Sequence, residues 1–95
     1  MSEIYNKAAS DNGEVVYQGK TFALLAQAEL TNRIFPGWWG DARDGEEYIS
    51  EWSASAIGED GEEYVVVWQF DVVKGQEPED DVKLPWNEIH EVIPA

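Results

Sequence analysis

Between residues 47 and 73 the chain alternates its side chains with almost no interruption. Tyr48, Ser50, Trp52, Ala54 and Ala56 interleave with Ile49, Glu51, Ser53, Ser55 and Ile57; further on, Tyr64, Val66, Trp68, Phe70 and Val72 interleave with Val65, Val67, Gln69, Asp71 and Val73. A period of two puts each set on one face of a strand. The intervening Gly58-Glu59-Asp60-Gly61 is a turn signal, so the pattern predicts a long antiparallel hairpin. Ala54 and Ala56 leave room that Trp52 or Trp68 can fill from across the sheet. A second, shorter hairpin is expected in EVVYQGKTFAL: Val15, Val16 and Tyr17 suit a strand, Gly19 suits the positive φ of a tight turn, and Thr21 and Phe22 resume.

The next segment reads two ways. Phe22, Leu24, Ala26, Ala28 and Leu30 share one face at period two, with Gln27, Glu29 and Thr31 on the other, which favours a strand. Helix propensity over residues 21–33, with Thr21 as a cap, supports a covering helix instead. Residues 31–47 form a long loop broken by Pro36, Gly37, Gly40 and Gly45, and its aromatic residues argue that it is ordered. Residues 74–83 read as an acidic, turn-rich connection. The tail offers either an edge strand over residues 89–93, ended by Pro94, or a helical turn beginning at Pro85. Residues 1–13 are small and polar and are expected to form a loose N-terminal arm, with 14–95 as one domain. Together these elements predict a mainly β fold, a small antiparallel meander of four to five strands curled into a partly open barrel. An α+β fold with a helix over 21–33 is the alternative.

Charge changes this picture more than composition does. Twenty acidic residues stand against six basic ones, a net charge of −14. Residues 1–40 hold Glu3, Asp11, Glu14 and Glu29 against Lys7, Lys20 and Arg33, so nearly the whole excess falls in the C-terminal part. Such a field repels nucleotides and nucleic acid, and attracts basic clefts. No direct nucleic-acid contact is therefore expected. The chain has no cysteine, which removes disulfides, thiolate metal sites and cysteine nucleophiles. Its N-terminus has no apolar run fit for a signal peptide, and no stretch reaches the roughly 18 apolar residues of a membrane span. The expectation is a cytoplasmic protein without membrane contact.

No catalytic signature stands out. His90 is the sole histidine and lies between Glu88 and Glu91 near the chain end, where a surface or edge role is expected. The pairs Glu46-Glu47, Glu62-Glu63 and Asp80-Asp81 lack the cleft that a glycosidase carboxylate pair requires. Residues 58–63 and 77–81 supply oxygen ligands but do not follow a calcium-loop pattern, and no phosphate-binding glycine motif occurs. No enzyme activity, metal or cofactor is expected.

The runs Tyr17–Leu24, Glu47–Ala56 and Asp60–Phe70 together resemble uncharacterised small acidic proteins of phages and mobile elements, over residues 14–73. The resemblance implies the context of an encoded inhibitor of a host system, and it carries no activity or site residues to transfer. The residues themselves point to a partner-binding set: Trp38 and Trp39 as aromatic anchors, ringed by Asp41, Asp44, Glu46 and Glu47, with Glu59, Asp60, Glu62 and Glu63 in the hairpin turn. Rows such as Glu47, Ile49 and Glu51 are expected to present carboxylates at intervals that mimic phosphates, blocking a basic nucleic-acid-binding cleft of a nuclease or similar host protein. An immunity protein or antitoxin paired with a basic toxin is the alternative. An exposed tryptophan would equally suit a homodimer seam.

Overall fold

The computed structural model describes residues 3–78 and 84–95; the C-terminal part of the expected acidic connection, residues 79–83, lies outside the described residues. One helix, α1 (Glu3–Asn12), precedes strands β1 (Glu14–Tyr17), β2 (Lys20–Leu24), β3 (Glu29–Leu30), β4 (Glu47–Gly58), β5 (Glu63–Val73) and β6 (Glu91–Pro94). The strands form one antiparallel sheet in the order β1-β2-β4-β5-β6, with β3 also paired to β4. The mainly β meander is therefore present, as an open sheet and not a closed barrel. Its curl brings the Tyr17 hydroxyl to 3.5 Å from the His90 carbonyl, across from β1 to the approach to β6.

The long hairpin forms as its alternation dictates. Eleven residues of β4 pair with β5, from Glu47 opposite Val73 to Ile57 opposite Glu63, and Trp52 faces Trp68. Side chains directly opposite one another share a face. Tyr48 consequently meets Val72, while Trp52, Ala54 and Ala56 meet Trp68, Val66 and Tyr64 and with Phe22 and Phe70 build the main core. Trp68 is 1% exposed and its indole N–H donates to the Trp86 carbonyl at 2.8 Å. Trp86 in turn packs edge-on against Trp52, Trp68 and Phe70, with ring centroids 5.0–5.4 Å apart. These T-shaped contacts match the aromatic quadrupoles and add about 0.5–1.5 kcal/mol per pair beyond burial. The tail covering the core follows the edge-strand reading: β6 pairs with β5 after a plain turn in which Glu88 N–H donates to Pro85 O, and no helix forms at Pro85.

Three expectations change. Residues 3–12, expected as a loose arm, form α1; Tyr5 is 3% exposed and packs with Ala8, Ala23 and Ile57 on the sheet's opposite face. The Tyr5 hydroxyl donates to the Glu14 carboxylate, joining helix to strand. Burial and this acceptor push the Tyr5 phenol up to about 12. Second, the strand reading of 21–33 holds for β2 and β3, but the alternation breaks between them. Leu25 N–H still donates to Ser55 O, while Ala26 and Gln27 turn out into solvent. Third, this added short strand and the tail bring the sheet to six strands. At the tight turn, Gln18 and Gly19 both have positive φ, 51° and 77°, the twist that a two-residue hairpin loop requires.

Trp68→Ala empties the centre of the core and is expected to lower unfolding free energy by about 3–5 kcal/mol. Trp39→Ala, at a 54% exposed position, should cost less than about 1 kcal/mol. Urea unfolding of both variants checks this. Similar losses for the two would refute the assignment of Trp68 to the core and Trp39 to the surface.

Candidate functional site

The long loop after β3 is drawn onto the free flank of β4 by backbone and side-chain bonds. Thr31 N–H donates to Glu51 O at 3.1 Å and Ile49 N–H to Gly37 O at 2.8 Å. Between these points lies an ion pair that alternation alone does not reveal. Glu51 points to the face opposite Trp52, is 6% exposed, and accepts from Arg33 through both carboxylate oxygens, at 2.8 and 2.7 Å. Thr31 Oγ1 and Gln69 Nε2 complete its shell at 2.9 and 2.7 Å. The Arg33 hydrogen bonds, reinforced by those of Gln69 and Thr31, outweigh burial and hold the Glu51 carboxyl down at about 2. Arg33 also lies over the Phe35 ring, its guanidinium carbon 4.8 Å from the centroid.

Beyond Arg33 the chain turns through Pro36 and Gly37 into a short 3-10 turn, Trp39–Asp41. Adjacent tryptophans on such a turn diverge: Trp38 is half-buried and Trp39 is exposed. Gly40 allows the Trp38 indole to lie across the backbone, since a Cβ there would sit 2.2 Å from its Cζ2. Trp39 is held from the other side by Lys74, whose ammonium is 3.9 Å from the ring centroid and donates to Ala42 O at 2.7 Å.

These elements enclose a cavity of about 470 Å³ at the Glu47 end of β4. Its wall includes Phe35, Trp38, Trp39, Tyr48 and Trp52, with the Arg33–Glu51 pair and Glu77 among the polar groups. Those groups satisfy one another. Tyr48 Oη donates to Glu77 at 2.8 Å and Trp52 Nε1 to Ser50 Oγ at 3.0 Å, and among the described residues no buried side-chain nitrogen or oxygen lacks a partner. Burial and the Glu77 acceptor push the Tyr48 phenol up to about 12, and the same bond lowers Glu77.

The acidic residues expected to act together fall into two groups. Asp41, Asp44, Glu46 and Glu47 surround the aromatic loop; Glu59, Asp60, Glu62 and Glu63 cap the far end of the hairpin. Eleven residue steps of β4 separate these poles by about 36 Å at the usual strand rise, consistent with a longest dimension of 46 Å. The row Glu47, Ile49, Glu51 presents only the Glu47 carboxylate, because Glu51 is enclosed by Arg33. Several others have local structural work: Asp41 accepts from Gly37 N–H, Glu46 from Arg43 N–H, and Asp60 from Glu62 N–H and the Tyr64 hydroxyl. Asp44, Glu47, Glu59, Glu62 and Glu63 are exposed, and no hydrogen bond or ion pair engages their carboxylates. Among the described residues no group of three or more potential ligands is placed to hold a metal, and no helix is long and apolar enough to cross a membrane.

Most of the cavity escaped the sequence reading: of its wall only Trp38 and Trp39 were expected at a site, Tyr48 and Trp52 were assigned only to the hairpin, and Phe35 and Arg33 had no role. Arg33 is the one cation in the stretch that leads into the tryptophans, and that was the available signal.

Because Glu51 lies below its ordinary value of 4.5, its contribution to stability is complete above that pH and is lost as pH falls towards about 2. The shift corresponds to about 3 kcal/mol. Urea unfolding of the wild type and of Glu51→Gln should differ by about this amount at pH 7, with the gap closing towards pH 2. A gap independent of pH would show that the charge of Glu51 does not hold the loop.

Compared with protein-family models, curated proteins and solved structures, the chain finds no match in any of the three.

Proposed function

We propose that this chain is a non-enzymatic acidic binding protein that occupies the basic, nucleic-acid-binding cleft of another protein, as an encoded inhibitor of a host nuclease or defence effector would. The observation that carries this reading is the pair of unneutralised acidic poles. Asp44 and Glu47 at one end, and Glu59, Glu62 and Glu63 at the other, keep their carboxylates free in solvent. Their separation of about 36 Å is close to one turn of duplex, about 34–36 Å. A cleft that normally holds a duplex turn is therefore a fitting counterpart for both poles at once. The partner is cationic, and long-range attraction speeds its encounter by about ten- to a thousandfold at low salt.

The non-enzymatic part of the reading is supported by the cavity, where Glu51, Tyr48 and Trp52 are engaged in hydrogen bonds with Arg33, Glu77 and Ser50. His90 stands apart, exposed beside β6. The aromatic cavity favours a second reading, an immunity protein or antitoxin devoted to a single basic toxin, because a shaped apolar pocket selects one partner more than a charge field does.

The test is displacement of a fluorescent duplex preloaded on candidate nucleases or CRISPR-type effectors, followed by anisotropy at two salt concentrations. The chain should release the duplex, with potency falling about tenfold or more from 50 to 200 mM salt. The variant Glu59→Gln, Asp60→Asn, Glu62→Gln, Glu63→Gln should lose most of the effect. An inhibited effector that still holds its duplex, or full displacement by the neutralised variant, would overturn mimicry. Inhibition that depends on Trp39 and hardly on salt would favour the dedicated-toxin reading.

A further inference from the structure

We propose that the aromatic cavity beside Trp39 is a receptor for an organic cation whose charge is clad in alkyl groups, a trimethylammonium group such as that of a methylated lysine side chain. This deepens the reading above and rests on it only in taking the partner to be cationic.

Four observations converge on that chemistry. Five aromatic side chains, Phe35, Trp38, Trp39, Tyr48 and Trp52, contribute to the wall. Two of these rings already hold cations of the chain itself, Arg33 over Phe35 at 4.8 Å and Lys74 over Trp39 at 3.9 Å, so rings of this site are already used as cation-binding surfaces. The charge around the cavity is negative on balance: Glu51 neutralises Arg33, Lys74 partly offsets Glu77, and Asp44 and Glu47 stand free nearby. Finally, the carboxylate and hydroxyl acceptors nearest the rings are largely engaged: Glu51 by Arg33, Thr31 and Gln69, Ser50 by Trp52, and Glu77 by Tyr48 and the Gly75 N–H.

That last point separates one cation from another. A primary ammonium carries three N–H donors and a guanidinium five, and each donor left without an acceptor in the cavity forfeits its hydration. A trimethylammonium group has no donor to satisfy. It presents methyl groups to the rings while its charge is attracted by their faces and by the surrounding carboxylates. The volume, about 470 Å³, accommodates a group of this size together with the stem that carries it.

The experiment is a titration of the full chain, followed by tryptophan fluorescence and by NMR shifts of the indole N–H signals. The probes are free tetramethylammonium, a short peptide bearing one trimethyl-lysine, the same peptide with unmodified lysine, and the same peptide with the neutral carbon isostere of trimethyl-lysine. The trimethylated peptide should bind about tenfold or more tightly than either peptide control. Trp39→Ala should weaken it about tenfold, and Glu77→Gln should weaken the cation while leaving the neutral isostere unchanged; circular dichroism confirms that each variant is folded. A peptide that outcompetes free tetramethylammonium by tenfold or more identifies a protein-borne cation, and equal affinity identifies a free small molecule. Equal binding of the cation and its neutral isostere, or unchanged affinity in Trp39→Ala, would overturn the proposal. Failure here with duplex displacement intact removes only this inference. Cation binding without displacement removes only the mimicry reading.

Discussion

The register between β4 and β5 is the constraint on which everything else rests. Eleven consecutive pairs fix it, and each assigns a side chain to one of two very different faces. A slip of β5 by one residue would turn Trp68 and Phe70 into solvent and drive Gln69 and Asp71 into the core. The aromatic cluster around Trp86 and the carboxylate network around Glu51 therefore reinforce the same alignment from opposite sides of the sheet. The hairpin's length then does the rest, because it sends the turn and the loop to opposite ends of an elongated molecule.

Glu51 shows how the cost of one buried charge organises the loop beside it. Burying a carboxylate without partners is prohibitive, so the fold must supply acceptor-facing donors within reach. It does so with Gln69 from the neighbouring strand and with Thr31 and Arg33 from the loop. Recruiting Arg33 pins the segment that leads into Phe35, Trp38 and Trp39, and a long connection thereby becomes one wall of a cavity. The specificity of this charge pair lies in where it holds the loop.

Much of the fold was legible in the sequence because strands and tight turns leave local signatures. The alternation of residues 48–57 and 64–73, the Gly19 turn and the placement of Trp52 and Trp68 in one hairpin all appear as expected. What escaped depends on contacts between distant residues. α1 buries only Tyr5 and Ala8 in ten residues, too faint a stripe to stand out from a polar arm. Trp86 sits in a tail whose pattern is irregular, yet its ring is shared by three others. Glu51 belonged to an apparently surface row, and only the position of Arg33, eighteen residues earlier, removes it. Which ring of the tryptophan pair faces out depends on Gly40 admitting Trp38 and on Lys74 meeting Trp39.

The apposition of an aromatic pair and an acidic run now has a physical account. A net charge of −14 on 95 residues repels itself, and an elongated hairpin relieves that repulsion by moving carboxylates to its ends. At physiological ionic strength the screening length is about 8 Å, far shorter than the distance between the poles. Each pole therefore acts electrostatically on its own. The loop pole combines its field with an aromatic cavity of about 470 Å³. The turn pole has a smaller one, about 310 Å³, where Lys20 shares the wall with Glu59 and Asp60 and weakens the local field. A partner that uses both must be long and basic, whereas one that uses the loop pole alone need present no more than a single well-shaped cationic group.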